Sequence, residues 1–145
     1  METPFHEPAP KVVVAAARAG AFGVLDLGQD AARARAALDV VVGRTEAPFG
    51  VRVSELCALD VSDLPDAVHT VVVSDVGLID TWQTDSRRIV VEVRSADEAH
   101  AALVAGVDGL VAKGAESGGR VGTTGAFVLG QQVGSLTDLP VWVQG

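Results

Sequence analysis

The chain is 145 residues long, 48% hydrophobic and formally charged at -8, one domain's worth of sequence and short of the roughly 200 residues or more of a closed eight-stranded α/β barrel. The acidic balance disfavours nucleic acid and anionic membranes as general partners, and no apolar run approaches the ~20 residues of a membrane span. The lone Cys57 has no disulfide partner within the chain, and the acidic N-terminus lacks a secretory pattern, so a reducing cytoplasm is the expected compartment.

Residues 1–11 hold three of the six prolines and no periodicity, and read as an irregular leader to one domain over residues 12–145. Lys11 to Ala19 is apolar enough for strand or helix, and its Ala15-Ala16-Ala17-Arg18-Ala19-Gly20 ending favours a helix with a glycine cap. Phe22 to Asp26 reads as a buried strand, and Ala31 to Val42 as an amphipathic helix closed by Gly43. Pro48 to Val53 is a second strand; Ser54 to Asp66 suggests a weak, acidic helical turn or two. Thr70 to Ser74 is a third strand, Gly77 to Thr84 a short helix or turn, and Arg88 to Val93 a fourth strand. Ser95 and Glu98 have the spacing of a capping box, each bonding the other's free amide, before a helix to Ala105 that Gly106 ends. Leu110 to Lys113 is the fifth strand, a helix from Thr124 or Gly125 to Val133 follows a glycine loop, and Val141 to Gln144 is the sixth strand.

Strands that are apolar throughout, alternating with helices, predict βαβ units around a parallel sheet. Ligands of such folds bind at the C-terminal strand ends. The residues expected there are Asp26, Arg52, Ser74, Asp75, Glu92, Arg94, Lys113 with the loop behind it, and Gln144. His6, His69 and His100 are scattered and show no metal-ligand spacing, and Cys57 reads as a small buried hydrophobe. No nucleophile-elbow or P-loop motif is present.

The glycine loop after the fifth strand carries the strongest ligand signal. Strand, glycine loop and helix in that order present free N–H groups to a phosphate, although the same glycines also fit a flexible turn. Lys113 either faces a phosphate or extends to solvent, Glu116 either bonds a ligand or caps the loop, and Arg120 is either an anion contact or a solvated loop arginine.

The run Gly106 to Gly122, reading GVDGLVAKGAESGGRVG, resembles the FMN-loop signature of the nitronate monooxygenase family, which includes FMN-dependent enoyl reductases. Ala16 to Leu25, Pro48 to Val51 and Pro140 to Gly145 resemble further segments of that family in the same order. The variants GGRVG, Ala126-Phe127-Val128-Leu129 and PVWVQG look closest to the domain of this type at the front of some bacterial type I polyketide synthases. The resemblance implies an incomplete TIM-barrel-like α/β fold with about six parallel strands. It also implies FMN, or another phosphate-bearing ligand, bound by Lys113, Gly114, Glu116, Gly118, Gly119, Arg120, Gly122 and Gly145.

The sequence departs from the family at three points. The Gln-Gly-Pro-Met opening is absent from residues 1–11, Arg52 stands where many members have asparagine, and Arg120 replaces the histidine base of nitronate oxidisers. A guanidinium cannot accept a proton, so nitronate oxidation is not expected, and no catalytic residue is assigned. The expected function is an FMN-dependent oxidoreductase-like domain of a polyketide synthase, truncated and weakly active or inactive alone. The alternative is a non-catalytic scaffold that docks other synthase domains. Open sheet edges further predict self-association.

Overall fold

The computed structural model describes residues 7–145. His6 and the earlier part of the expected leader lie outside them. The first helix, α1, spans Pro10–Arg18 and so begins inside the expected leader, with proline in its first turn, where no intrahelical N–H partner is required. It ends as the alanine-glycine pattern predicts. Gly20 takes φ +74°, its N–H bonds the Ala17 carbonyl, and the Ala21 N–H bonds that of Ala16.

Six strands follow: β1 Val24–Asp26, β2 Phe49–Val53, β3 Val68–Val73, β4 Arg88–Val93, β5 Gly109–Lys113 and β6 Val141–Gln144. All are parallel and lie in the sheet in chain order, and the sheet curls into part of a barrel. Between them run α2 (Ala31–Val42), α3 (Ile79–Trp82), α4 (Ala96–Val104) and α5 (Ala126–Gly134). This is an incomplete TIM-barrel-like α/β fold, as expected. Among the described residues no helix is long and apolar enough to cross a membrane.

Two local expectations are corrected. The Ser54 to Asp66 segment forms a single 3-10 turn, Val61–Asp63, closed by an Asp60/Asp63 capping box. At α4 only half of the expected box forms: the Ser95 hydroxyl accepts the Glu98 N–H at 3.2 Å. The Glu98 carboxylate turns instead to Arg94, accepting its backbone N–H at 2.8 Å and its guanidinium at 2.8 and 3.1 Å. Charge-assisted, two-pronged bonds are stronger than one neutral amide bond, so the arginine takes the carboxylate from Ser95.

Alternation along the strands divides the sheet into two faces. Val51, Val53, Val71, Val73, Val91, Val93 and Leu110 pack with Leu38, Val41, Ala99, Ala102, Leu129 and Val133 of the helices. The opposite face carries Arg52, Val72, Val90, Glu92 and Lys113. The register sets Asp26 beside Arg52, Arg52 beside Val72, and Glu92 beside Val111. Charged side chains therefore occupy the concave face near its C-terminal rim.

Candidate functional site

At that rim a cavity of about 750 Å³ opens, and every strand except β3 places its last or next-to-last residue on its wall: Asp26, Arg52, Glu92, Lys113 and Gln144. Ser74, just beyond β3, completes the set. Val72 on β3 and Ser74 just beyond it have short side chains, which lets Arg52 of β2 reach across to Glu92 of β4. Its Nε and one terminal nitrogen donate to the two Glu92 oxygens at 2.6 and 3.0 Å, and the other donates to Asp26 at 2.9 Å. Lys113 approaches the same Glu92 carboxylate at 3.5 Å.

Glu92 and Lys113 are 5% exposed, the only fully buried charges among the described residues. Burial pushes the Glu92 carboxyl up, but the hydrogen bonds and charge of Arg52, with help from Lys113, outweigh it and hold it below its ordinary value. Arg52 is held above its ordinary value mainly by its Glu92 bonds, against its own desolvation.

A second cluster lies beside the first. Arg94 bridges Glu98 and Asp75, and Arg120 reaches Asp75 at 3.5 Å. Asp75 is held low first by the Gly77 N–H and then by Arg94, against desolvation.

The glycine loop divides by function. A Cβ on Gly114 would lie 2.3 to 2.5 Å from backbone and side-chain atoms of Ala126, one on Gly122 2.6 Å from the Arg94 carbonyl, and one on Gly145 2.8 Å from the Ala126 side chain. These three glycines let neighbouring segments approach one another. The Gly114 N–H moreover bonds the Gln144 carbonyl at 2.8 Å, so it is not one of the free amides the sequence suggested.

Gly118 and Gly119 differ. Nothing lies within 4 Å of a Cβ on Gly118, and both residues line the cavity with Arg120. Gly119 takes φ +78°, which glycine adopts without strain. Among the described residues the N–H groups of Gly118, Gly119 and Gly122 have no protein acceptor. Glu116 resolves to the capping alternative: its carboxylate accepts the Ala126 N–H at 2.9 Å and closes the N-terminus of α5.

Sequence reasoning missed Gln29, Ser54, Glu55 and Leu56 on the cavity wall. Ser54 to Leu56 follow β2 directly, and position past a strand end was the available signal. His100 is exposed, His69 bonds the neighbouring Thr70 hydroxyl at 3.0 Å, and burial pushes the half-buried Cys57 thiol up, which leaves it a poor nucleophile.

No known family profile matches the chain, and no curated protein matches it. Solved structures do. FabK of Thermotoga maritima is 25% identical with a TM-score of 0.73 over 96% of this chain and 47% of its own length. A point mutant of the same protein gives 26% identity and a TM-score of 0.75 over 92% of this chain and 48% of that one. Nitroalkane oxidase of Streptomyces ansochromogenes gives 22% identity and a TM-score of 0.74 over 97% of this chain and 56% of its own. The chain has the fold of these proteins. It spans about half the length of the solved structures it matches.

Proposed function

We propose that this chain is a flavin-oxidoreductase-like barrel domain, associated with a polyketide synthase, whose loop from Gly118 to Gly122 takes the phosphate of FMN. The observation that carries the reading is the loop's open side. Gly118 and Gly119, whose N–H groups have no protein acceptor among the described residues, free space where a Gly118 side chain would lie, and Arg120 all border the cavity. That combination fits a phosphate, and the cavity beside it leaves room for a larger ring system. The fold shared with FabK, and the loop's resemblance to the nitronate monooxygenase signature, support FMN as the phosphate-bearing group.

Bound FMN supplies hydride transfer to or from an activated, carbonyl-conjugated substrate. The chain's own residues bind and orient. Gly118 and Gly119 offer N–H donors, Arg120 adds charge, and Glu116 fixes the loop by anchoring it to α5. Arg52 stays protonated between two carboxylates and Arg120 cannot take a proton, so neither serves as a general base, and nitronate oxidation is disfavoured.

The test compares the chain with Gly118→Val. A Cβ at Gly118 has no protein atom within 4 Å, so the variant should melt close to the temperature of the parent. FMN should raise the melting temperature of the parent more than inorganic phosphate does, and should leave that of Gly118→Val unchanged. Binding is expected to be weak enough for gel filtration to strip the flavin. If neither FMN nor phosphate shifts the parent, the phosphate reading fails.

A second reading, a scaffold that docks other synthase domains, is favoured by the pairing of Arg52 with Glu92 and by the apolar surface of α5 and β6. Phe127, Val128, Trp142 and Val143 are exposed there, Trp142 by 53%. Unpaired strand edges and such patches associate. Light scattering should show a mass rising with concentration, and Trp142→Lys should suppress the rise; a monomer at all concentrations would exclude self-association through this face.

A further inference from the structure

The chain uses lysine sparingly: of eleven Lys and Arg residues only Lys11 and Lys113 are lysines. Arginine is the better partner in buried ion pairs, and lysine is rarely fully buried. Yet Lys113 holds a buried position on a cavity wall, at the end of β5. Its hold on Glu92 is loose, 3.5 Å against the 2.6 and 3.0 Å of Arg52 to the same carboxylate. What an ammonium offers there, and a guanidinium cannot, is a nitrogen able to lose a proton and attack carbon. That nitrogen is 3.4 Å from the position a Cβ on Gly119 would take, against the loop whose Gly118, Gly119 and Arg120 line the same cavity.

We propose that Lys113 is a carbonyl-reactive lysine that forms an imine with small aldehydes or ketones bearing a phosphate group. The Lys113 ammonium gives a proton to solvent in the open cavity, and the freed nitrogen lone pair forms a bond to the carbonyl carbon. The carbonyl π pair moves to oxygen, which takes up the proton that the attacking nitrogen sheds. The resulting carbinolamine expels that hydroxyl as water, using a proton returned from solvent, and leaves a protonated C=N. The sum is ammonium plus carbonyl giving iminium plus water, with nothing oxidised or reduced. The iminium keeps the positive charge opposite Glu92, so the buried charge balance is the same before and after. The loop, with Gly118, Gly119 and Arg120, holds the phosphate while Lys113 takes the carbonyl carbon. This activity goes beyond the flavin reading and shares with it only the loop as an anion site.

The experiment incubates the intact chain with pyridoxal 5′-phosphate, reduces the imine with borohydride, and maps the adduct by peptide mass spectrometry. Lys113 should be labelled in about tenfold excess over Lys11 and the α-amino group, the margin one charge-assisted contact provides. Unphosphorylated pyridoxal should label it about tenfold less, and Gly118→Val should bring pyridoxal phosphate down to that level. Lys113→Arg keeps the charge opposite Glu92 and should abolish the adduct while the protein stays folded by circular dichroism. Equal labelling of Lys11 and Lys113, or no preference for the phosphorylated aldehyde, overturns the proposal. FMN titration reads out independently: loss of flavin binding leaves the labelling result standing, and loss of selective labelling leaves flavin binding standing.

Discussion

Glu92→Ala is expected to be among the most damaging single substitutions outside the apolar core, with a loss of about 3–5 kcal/mol of a total that for such a domain is about 5–15 kcal/mol. Two cations, Arg52 and Lys113, converge on this carboxylate, whose side chain is 7% exposed. Truncation leaves both facing one another, with Asp26 at 2.9 Å from Arg52 as the remaining counter-charge. The cost is that of an unpaired buried charge, more than of a lost attraction. Glu92→Gln keeps the volume and a hydrogen-bond acceptor and should lose less. Arg52→Met combined with Glu92→Met, which removes both charges, should restore part of the loss. Urea unfolding of the four proteins measures this; a midpoint for Glu92→Ala equal to that of the parent would mean that water reaches the pair freely.

The same network predicts the response to acid. Glu92 is held below its ordinary value of 4.5 in the folded state, and Asp75 below 3.8. On acidification the unfolded chain therefore binds protons before the folded one does. The stabilisation is present in full above about pH 4.5 and is lost as the pH falls through the folded-state values. The melting temperature should hold between neutrality and that point and decline below it, and more shallowly in Glu92→Gln.

Gly114→Val is expected to be comparably severe for a different reason. Its Cβ would meet the Ala126 backbone nitrogen at 2.3 Å and the Cα at 2.4 Å, distances no rotamer change relieves. The start of α5 must move, and with it Leu129 and Val133, both fully buried. Overpacking commonly costs about 1–3 kcal/mol, and displacement of a helix that seals the core places this case at or above the upper end. Faster hydrogen exchange across Ala126–Gly134, in a protein whose β2 to β4 remain protected, would carry the signature. Gly118→Val, four residues on, should show neither change. Gly114→Val that melts with the parent would mean that the loop adjusts without α5.

The contrast between these two glycines marks what the sequence could and could not disclose. Runs such as Val71-Val72-Val73 and Ile89-Val90-Val91 announced buried strands, and the alternating helices announced a parallel sheet. The charged residues that close those runs, Asp26, Arg52, Glu92 and Lys113, were legible as a group because strand ends share a rim. Their pairing was not legible, since Arg52 and Glu92 are 40 residues apart and meet only through the curl of the sheet. Nor does a glycine declare whether its missing side chain admits a ligand or a neighbouring helix. At Ser95 and Glu98 the local pattern was present, and a stronger charged partner at Arg94 overrode it.

The strands lie in the sheet in the order of the chain, so each one couples directly only to the strand before it and the strand after. Within the sheet, β1 and β6 sense each other solely through the four strands between them, and such end strands open first. The cavity offers a shorter route, since Asp26 and Gln144, the last residues of β1 and β6, stand on the same wall. A ligand that spans it acts as a clasp, turning a row of nearest-neighbour couplings into a ring. Its imprint would be read at the sheet's two extremities, whose amides should gain protection together.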